Sequence, residues 1–146
     1  MTNDLTVADI KPITKEQNDK LLTTIDRIRK KLDDKLEAID IDTQHFIHAG
    51  CYVRNCFLPK GTVIGSALIK IPTVVIVSGD VVVANGENRT RYQGYKILKG
   101  SAFRRGVWFA TEDTNMTMFF ATKAKDTKEA EKEFTDEWEE LFEAEE

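Results

Sequence analysis

The sequence predicts a mainly β fold, a small barrel or sandwich, with a helix on either side of it. Two observations carry this. Residues 57–83, FLPKGTVIGSALIKIPTVVIVSGDVVV, set short β-branched runs between Gly, Pro and Asp turns, the pattern of strands on a pleated, buried surface. Turn signals then recur roughly every 8–12 residues as far as Thr122, while the segments before and after this region switch to helical spacing.

A chain of 146 residues is long enough for one domain with a real core. Its pattern divides it into residues 1–43 (a loose start and an amphipathic helix), 44–125 (the β region) and 126–146 (an acidic helix). Residues 1–13 are polar, contain Pro12 and show no period. Thr14-Lys15-Glu16-Gln17 then matches a capping box, in which the Thr14 hydroxyl and the Gln17 amide satisfy first-turn amides. Leu21, Ile25, Ile28, Leu32, Leu36 and Ile39 follow at spacings of 4, 3, 4, 4 and 3, one straight apolar stripe on a helix. That much apolar surface predicts burial, either on the chain's own barrel or against a copy of itself, and the 3.6-residue period favours packing on a globular surface over a coiled coil. Ile25, Ile28, Leu32 and Ile39 are expected at or near an interface in a homo-oligomer.

The strands are expected over Cys51 to Leu58, Thr62 to Ile64, Leu68 to Ile71, Val74 to Val77, Val81 to Val83, Thr90 to Tyr92, Tyr95 to Leu98, Val107 to Ala110 and Met116 to Ala121. Ser78-Gly79-Asp80 reads as a tight turn, Asn85-Gly86 as a hairpin turn, and Pro72 as an edge or a bend. From Asp126 or Thr127 to Phe142 the helical period returns, with Ala130, Phe134, Trp138 and Leu141 or Phe142 on one face.

Charge is unevenly spread: net −2 over residues 1–43, +7 over 44–125 and −9 over 126–146. The acidic helix is therefore expected to lie on a basic barrel surface, anchored by Phe134 and Trp138, because surface ion pairs alone contribute little. No apolar run approaches the roughly 20 residues that span a bilayer. The start, MTNDLTVADIKP, has no apolar core of a secretory signal. Cys51 and Cys56, five residues apart on one expected strand, face opposite sides and lie too far apart for a disulfide.

The order PKGTVIG, SGDVVV, Asn85-Gly86 and KILKGSAFRRGVWFATEDTNMTMFFAT resembles the cupin superfamily. It is most similar to small single-domain cupin-like proteins of tailed bacteriophages, over roughly residues 50–122. The resemblance implies a cupin-like (double-stranded β-helix, jelly-roll) barrel. Metal-binding members place a His-x-His pair and a Glu on the first motif and another His on the second. The matching positions here are Ile69, Ile71 and Thr73, then Thr111, and the chain holds two histidines, neither after residue 48. No metal and no other cofactor is therefore expected.

His45, His48 and Cys51 have the residue types of a zinc site, but on a strand three-residue steps scatter them over both faces. Glu112 and Asp113 are the only acids between Glu87 and Asp126; either they close a hairpin, or one of them faces Tyr92, Tyr95 or Arg104 inside the barrel. Tyr92, Tyr95, Arg104 and Glu112 are thus the candidate ligand-binding residues. Arg104-Arg105, with Arg89, Arg91, Lys96, Lys99 and the aromatics Tyr92, Tyr95 and Trp108, have the charge and stacking groups to hold phosphate or nucleic acid, but no recognised nucleic-acid motif supports this, and a solvated face is the expectation.

The function expected on these grounds is non-enzymatic: a phage-type structural or interaction protein in the virion or host cytoplasm, with no catalytic residues and an interior filled by Ile and Phe. The alternatives are a metal-independent small-molecule binder or sugar-nucleotide epimerase or isomerase, and an inhibitor or ligand sponge acting on a host system.

Overall fold

The structure, a computed structural model, describes residues 7–33, 41–85 and 88–141, without the side chains of Ile25 and residues 28–33. Eight strands make one sheet: β1 (Ala8–Ile10), β2 (Asp42–His48), β3 (Cys51–Leu58), β4 (Val63–Gly65), β5 (Thr73–Asn85), β6 (Asn88–Gly100), β7 (Val107–Ala110) and β8 (Thr114–Ala121). Two helices flank it, α1 (Lys15–Asp33) and α2 (Thr127–Phe134), and a 3-10 turn follows at Trp138–Glu140. This is the mainly β fold flanked by two helices that the sequence predicts.

Strand β5 organises the barrel. Along one edge it pairs with β6 from Thr73↔Gly100 to Asn85↔Asn88. Along the other it pairs with β8 over Val74–Ser78 and then with β7 over Val81–Ala84. A strand that changes partners must bend, and the bend falls at Gly79. A Cβ there would lie 2.4 Å from Thr114 Oγ1 and 2.6 Å from the Asp113 carbonyl, and φ is +148°. The order β1-β6-β5-β8-β3-β2 continues on the β8 side, and β7 carries β4 on the other. Side chains from both halves meet in one core, including Leu58, Ile64, Val77, Val81, Leu98 and Trp108.

A second apolar cluster sits under α2. Phe134 stacks on Tyr52 with ring centroids 5.7 Å apart and meets Phe120 edge-on at 6.0 Å. Asp126 caps α2 by accepting from Glu129 N at 2.8 Å. At the start of α1 both halves of the capping box form: Thr14 N donates to Gln17 Oε1 at 2.9 Å, and Gln17 N donates to Thr14 Oγ1 at 3.1 Å.

Several sequence expectations need correction. Ser78-Gly79-Asp80 is not a chain reversal but the bend within one 13-residue strand. Gly94, with φ +82°, plays the same part in β6, so the two expected strands there are also one. Leu68 to Ile71 forms only the single bridge Ile69↔Arg104, because Pro72 removes a ladder donor beside it. Residues 8–10, expected to be loose, pair in parallel with Leu98 to Gly100. The C-terminal helix stops at Phe134: Thr135 is extended, and its hydroxyl accepts from Glu137 N at 3.1 Å. Trp138 therefore leaves the helical face it was expected to share. Leu36, Ile39 and Phe142, and the side chains of Ile25, Ile28 and Leu32, lie outside the described residues. No helix among the described residues is long and apolar enough to cross a membrane.

Candidate functional site

Alternation along β3 buries Tyr52, Arg54, Cys56 and Leu58 on one side of the strand. The connection from β6 to β7 supplies two more arginines. It is pinned by paired backbone hydrogen bonds between Ile69 and Arg104 (2.9 and 3.1 Å) and by the exchange between Ser66 and Gly106, where Gly106 N donates to Ser66 Oγ at 3.0 Å. Phe103 takes the left-handed conformation, φ +57°, and leaves its own ring exposed while the chain turns Arg104 and Arg105 inward. Arg54, Arg104 and Arg105, each 5–6% exposed, line one cavity of about 360 Å³. The rest of its wall is largely apolar, with Ile64, Ile69, Val75, Trp108, Met116 and Met118. The interior is thus not filled, as the sequence suggested: Ile69 stands on the cavity wall, and Phe120 turns away into the cluster under α2.

The three arginines have different partners. Arg54 Nη1 donates to the Tyr52 hydroxyl at 3.3 Å, and that hydroxyl lies 3.0 Å from His45 Nδ1. Glu131 of α2 approaches His45 Nδ1 at 3.7 Å. Burial raises the Glu131 carboxyl, and the nearby Arg54 charge opposes that rise. Burial also pushes the Tyr52 phenol up to about 12, so it stays protonated and able to donate.

Arg104 is held only by neutral acceptors: Nη1 donates to the Ser101 carbonyl at 2.9 Å and the Ile71 carbonyl at 3.4 Å, and Nη2 to Thr73 Oγ1. No carboxylate pairs with it among the described residues. Its guanidinium lies against Gly100, where a Cβ would come within 2.5 Å of Cζ. Burial lowers it to about 10, which still leaves it cationic at neutral pH. Arg105 Nη2 pairs with Glu137 Oε2, while its Nε, also buried, has no hydrogen-bond partner among the described residues. A buried cation without a counter-charge and a buried donor without an acceptor are both costly, and both would be relieved by an anion in the cavity.

The candidate residues from the sequence are not brought together. Arg104 lines the cavity. Tyr92 is buried in the main core, its phenol raised by burial, but it does not reach the cavity wall. Tyr95 is 56% exposed. Glu112 is exposed 3.5 Å from Lys60 Nζ, and Asp113 Oδ1 accepts from Lys60 N at 2.9 Å, so this acidic pair closes a surface turn. Phe134 is buried in the cluster under α2 with Tyr52 and Phe120, whereas Trp138 is half-exposed, with Lys132 Nζ 4.7 Å from its ring centroid. Sequence reasoning missed Arg54 and placed Arg105 only in a basic group expected to be solvated. The available signal was Arg54 at an inward position of an alternating strand, where a charged side chain is out of place.

The donors on this wall do not suit a metal. Guanidinium groups do not ligate cations, and no group of three His, Cys, Asp or Glu side chains stands close enough to hold one among the described residues. His48 is exposed on the opposite face of β2 from His45.

No protein-family model matches the chain, and no curated protein does. Solved structures with a similar outline include a cupin 2 conserved barrel domain protein from Salinispora arenicola (TM-score 0.49, 12% identity, 62% of this chain and 84% of that one). Another is an RmlC-like cupin family protein with a double-stranded β-helix fold from Methanocaldococcus jannaschii (0.48, 11%, 60% and 85%). A third is a cupin superfamily protein from Desulfitobacterium hafniense (0.47, 11%, 63% and 88%).

Proposed function

We propose that this chain is a metal-independent binding protein that takes a small anion into its barrel. One observation carries the reading: Arg104, buried with only neutral acceptors among the described residues, and Arg105, whose Nε has no partner among them, share the wall of a 360 Å³ cavity. The volume lies within the range of small-molecule sites, about 300–1,000 Å³. The wall offers fixed positive charge but little to move a proton, since Arg104 remains protonated at neutral pH and the Tyr52–His45–Glu131 chain is engaged with α2. Binding, rather than epimerase or isomerase chemistry, is what this donor set serves.

A thermal-shift series tests the reading. A ligand at 100 times its Kd adds about 2.7 kcal/mol of stability. Acetate, hexanoate, benzoate, phosphate and nucleoside monophosphates are compared with their neutral amide or alcohol counterparts. At least one anion is expected to raise the melting temperature where its neutral counterpart does not. Silence across all anions would overturn the proposal.

A second reading, the phage-type structural or interaction protein, has its support elsewhere. The LPKGT, SGDVVV and TEDTNMT segments resemble barrels of tailed phages, and the barrel's outside carries an apolar pair, Val63 and Phe109, cross-strand neighbours that are 37% and 41% exposed. Such a surface suits a second copy or another virion protein. Its test is the presence of the protein in purified particles and its mass by light scattering; absence from particles together with a strict monomer would rule this reading out.

A further inference from the structure

We infer that the ligand is an organic monocarboxylate with an apolar body, and that it binds by replacing Glu137 on Arg105. The inference rests on the anion-binding reading above.

A guanidinium presents its Nε and Nη2 hydrogens side by side, a fork that fits the two oxygens of one carboxylate. On Arg105 this fork is half used. Nη2 donates to Glu137 Oε2 and Nε donates to nothing among the described residues. Glu137 Oε1 turns instead to the Leu68 amide, at a long 3.5 Å. Glu137 is thus a carboxylate on the right cation in an incomplete geometry, carried by the segment between α2 and the 3-10 turn and partly open to solvent. A free carboxylate can take both donors at once and release Glu137 to water.

The remaining groups narrow the class. Arg104 already donates to Ser101, Ile71 and Thr73, and Arg54 to Tyr52, whereas the Arg105 fork is the one that keeps a buried donor without an acceptor among the described residues. One fork suits one head group. Asp26 and Glu140, both exposed, stand with Glu137 among the lining residues and repel a ligand of high negative charge. Beyond the arginines the wall is Ile64, Ile69, Val75, Trp108, Met116 and Met118, which rewards a hydrocarbon or aromatic body over a sugar or a triphosphate.

Calorimetric titration of the full chain with octanoate tests this, with octanol, octylamine and inorganic phosphate as comparisons. The variants are Glu137→Gln, which removes the competing charge from a partly exposed position, and Arg105→Lys, which removes the fork and keeps the charge. Octanoate is expected to bind, octanol and octylamine are not. Glu137→Gln is expected to tighten octanoate at least threefold, and Arg105→Lys to weaken it at least tenfold. Octanoate affinity unchanged in Glu137→Gln would overturn the exchange, whether or not Arg105→Lys folds. Phosphate binding without octanoate binding would overturn the monocarboxylate class and leave the anion site standing. No binding by either, with silence in the thermal-shift series, would overturn both.

Discussion

Gly79 on β5 stands directly opposite Gly94 on β6, and the hairpin bends across that pair. The two positions are under different constraints. Gly79 is crowded by Thr114 Oγ1 and the Asp113 backbone, whereas nothing lies within 4 Å of a Cβ at Gly94. Gly79→Ala is expected to cost about 2–3 kcal/mol, from overlap and strain together. Gly94→Ala should cost about 1 kcal/mol, from its left-handed backbone alone. Urea midpoints of the two variants check the order; equal losses would contradict it.

This bend also marks how far the sequence was legible. Val74–Val77 and Val81–Val83 were readable as strands because β-branched runs have few other uses, and Gly79 was readable as a break in the pleat. Whether the chain reverses there or only bends depends on what pairs across the gap. The partners, β8 and β7, lie some thirty residues further on. The parallel strand β1 was hidden for the same reason: three residues beside Leu98 to Gly100 have no local signal. In the site, Arg104 was identifiable as a basic residue among aromatics. Its meeting with Arg54 and Arg105 arises from tertiary closure, which residue spacing does not encode.

Phe134 and Trp138 divide the docking of the C-terminal segment unequally. Phe134 is 1% exposed between Tyr52 and Phe120, so Phe134→Ala should cost about 3–5 kcal/mol. Trp138 packs beneath Lys128 and Lys132 of its own segment, and Trp138→Ala should cost about 1 kcal/mol. Thermal melts of the two variants decide it; a larger loss for Trp138→Ala would contradict this packing.

Acid stability should depend on Asp80. Hydrogen bonds from Arg91 Nε (2.8 Å) and Nη2 (2.5 Å) hold its carboxyl down at about 2, below the ordinary 3.8. A depressed folded-state value gives stability that is present above the ordinary value and lost as pH falls toward about 2. Asp80→Asn should flatten the melting-temperature profile between pH 4 and about 2. An unchanged slope in that window would contradict the pairing.

Alkaline stability should depend on Tyr52. Its folded-state value, raised from 10 to about 12 by burial, gives stability that is complete below pH 10 and lost as pH rises toward 12. Tyr52→Phe removes that loss and, at neutral pH, deprives Arg54 of an acceptor at a cost of about 1 kcal/mol. The same slope in both proteins between pH 10 and 12 would contradict the burial.

The most direct measurement of anion binding in the barrel is a ¹H–¹⁵N spectrum of the arginine Nε groups, recorded with and without octanoate and benzoate. The Arg105 Nε resonance, assigned by its disappearance in Arg105→Lys, is predicted to shift on titration, because this donor, without an acceptor among the described residues, gains one. An Arg105 resonance that stays in place at saturating carboxylate, phosphate and nucleotide alike would contradict an anion site in the barrel.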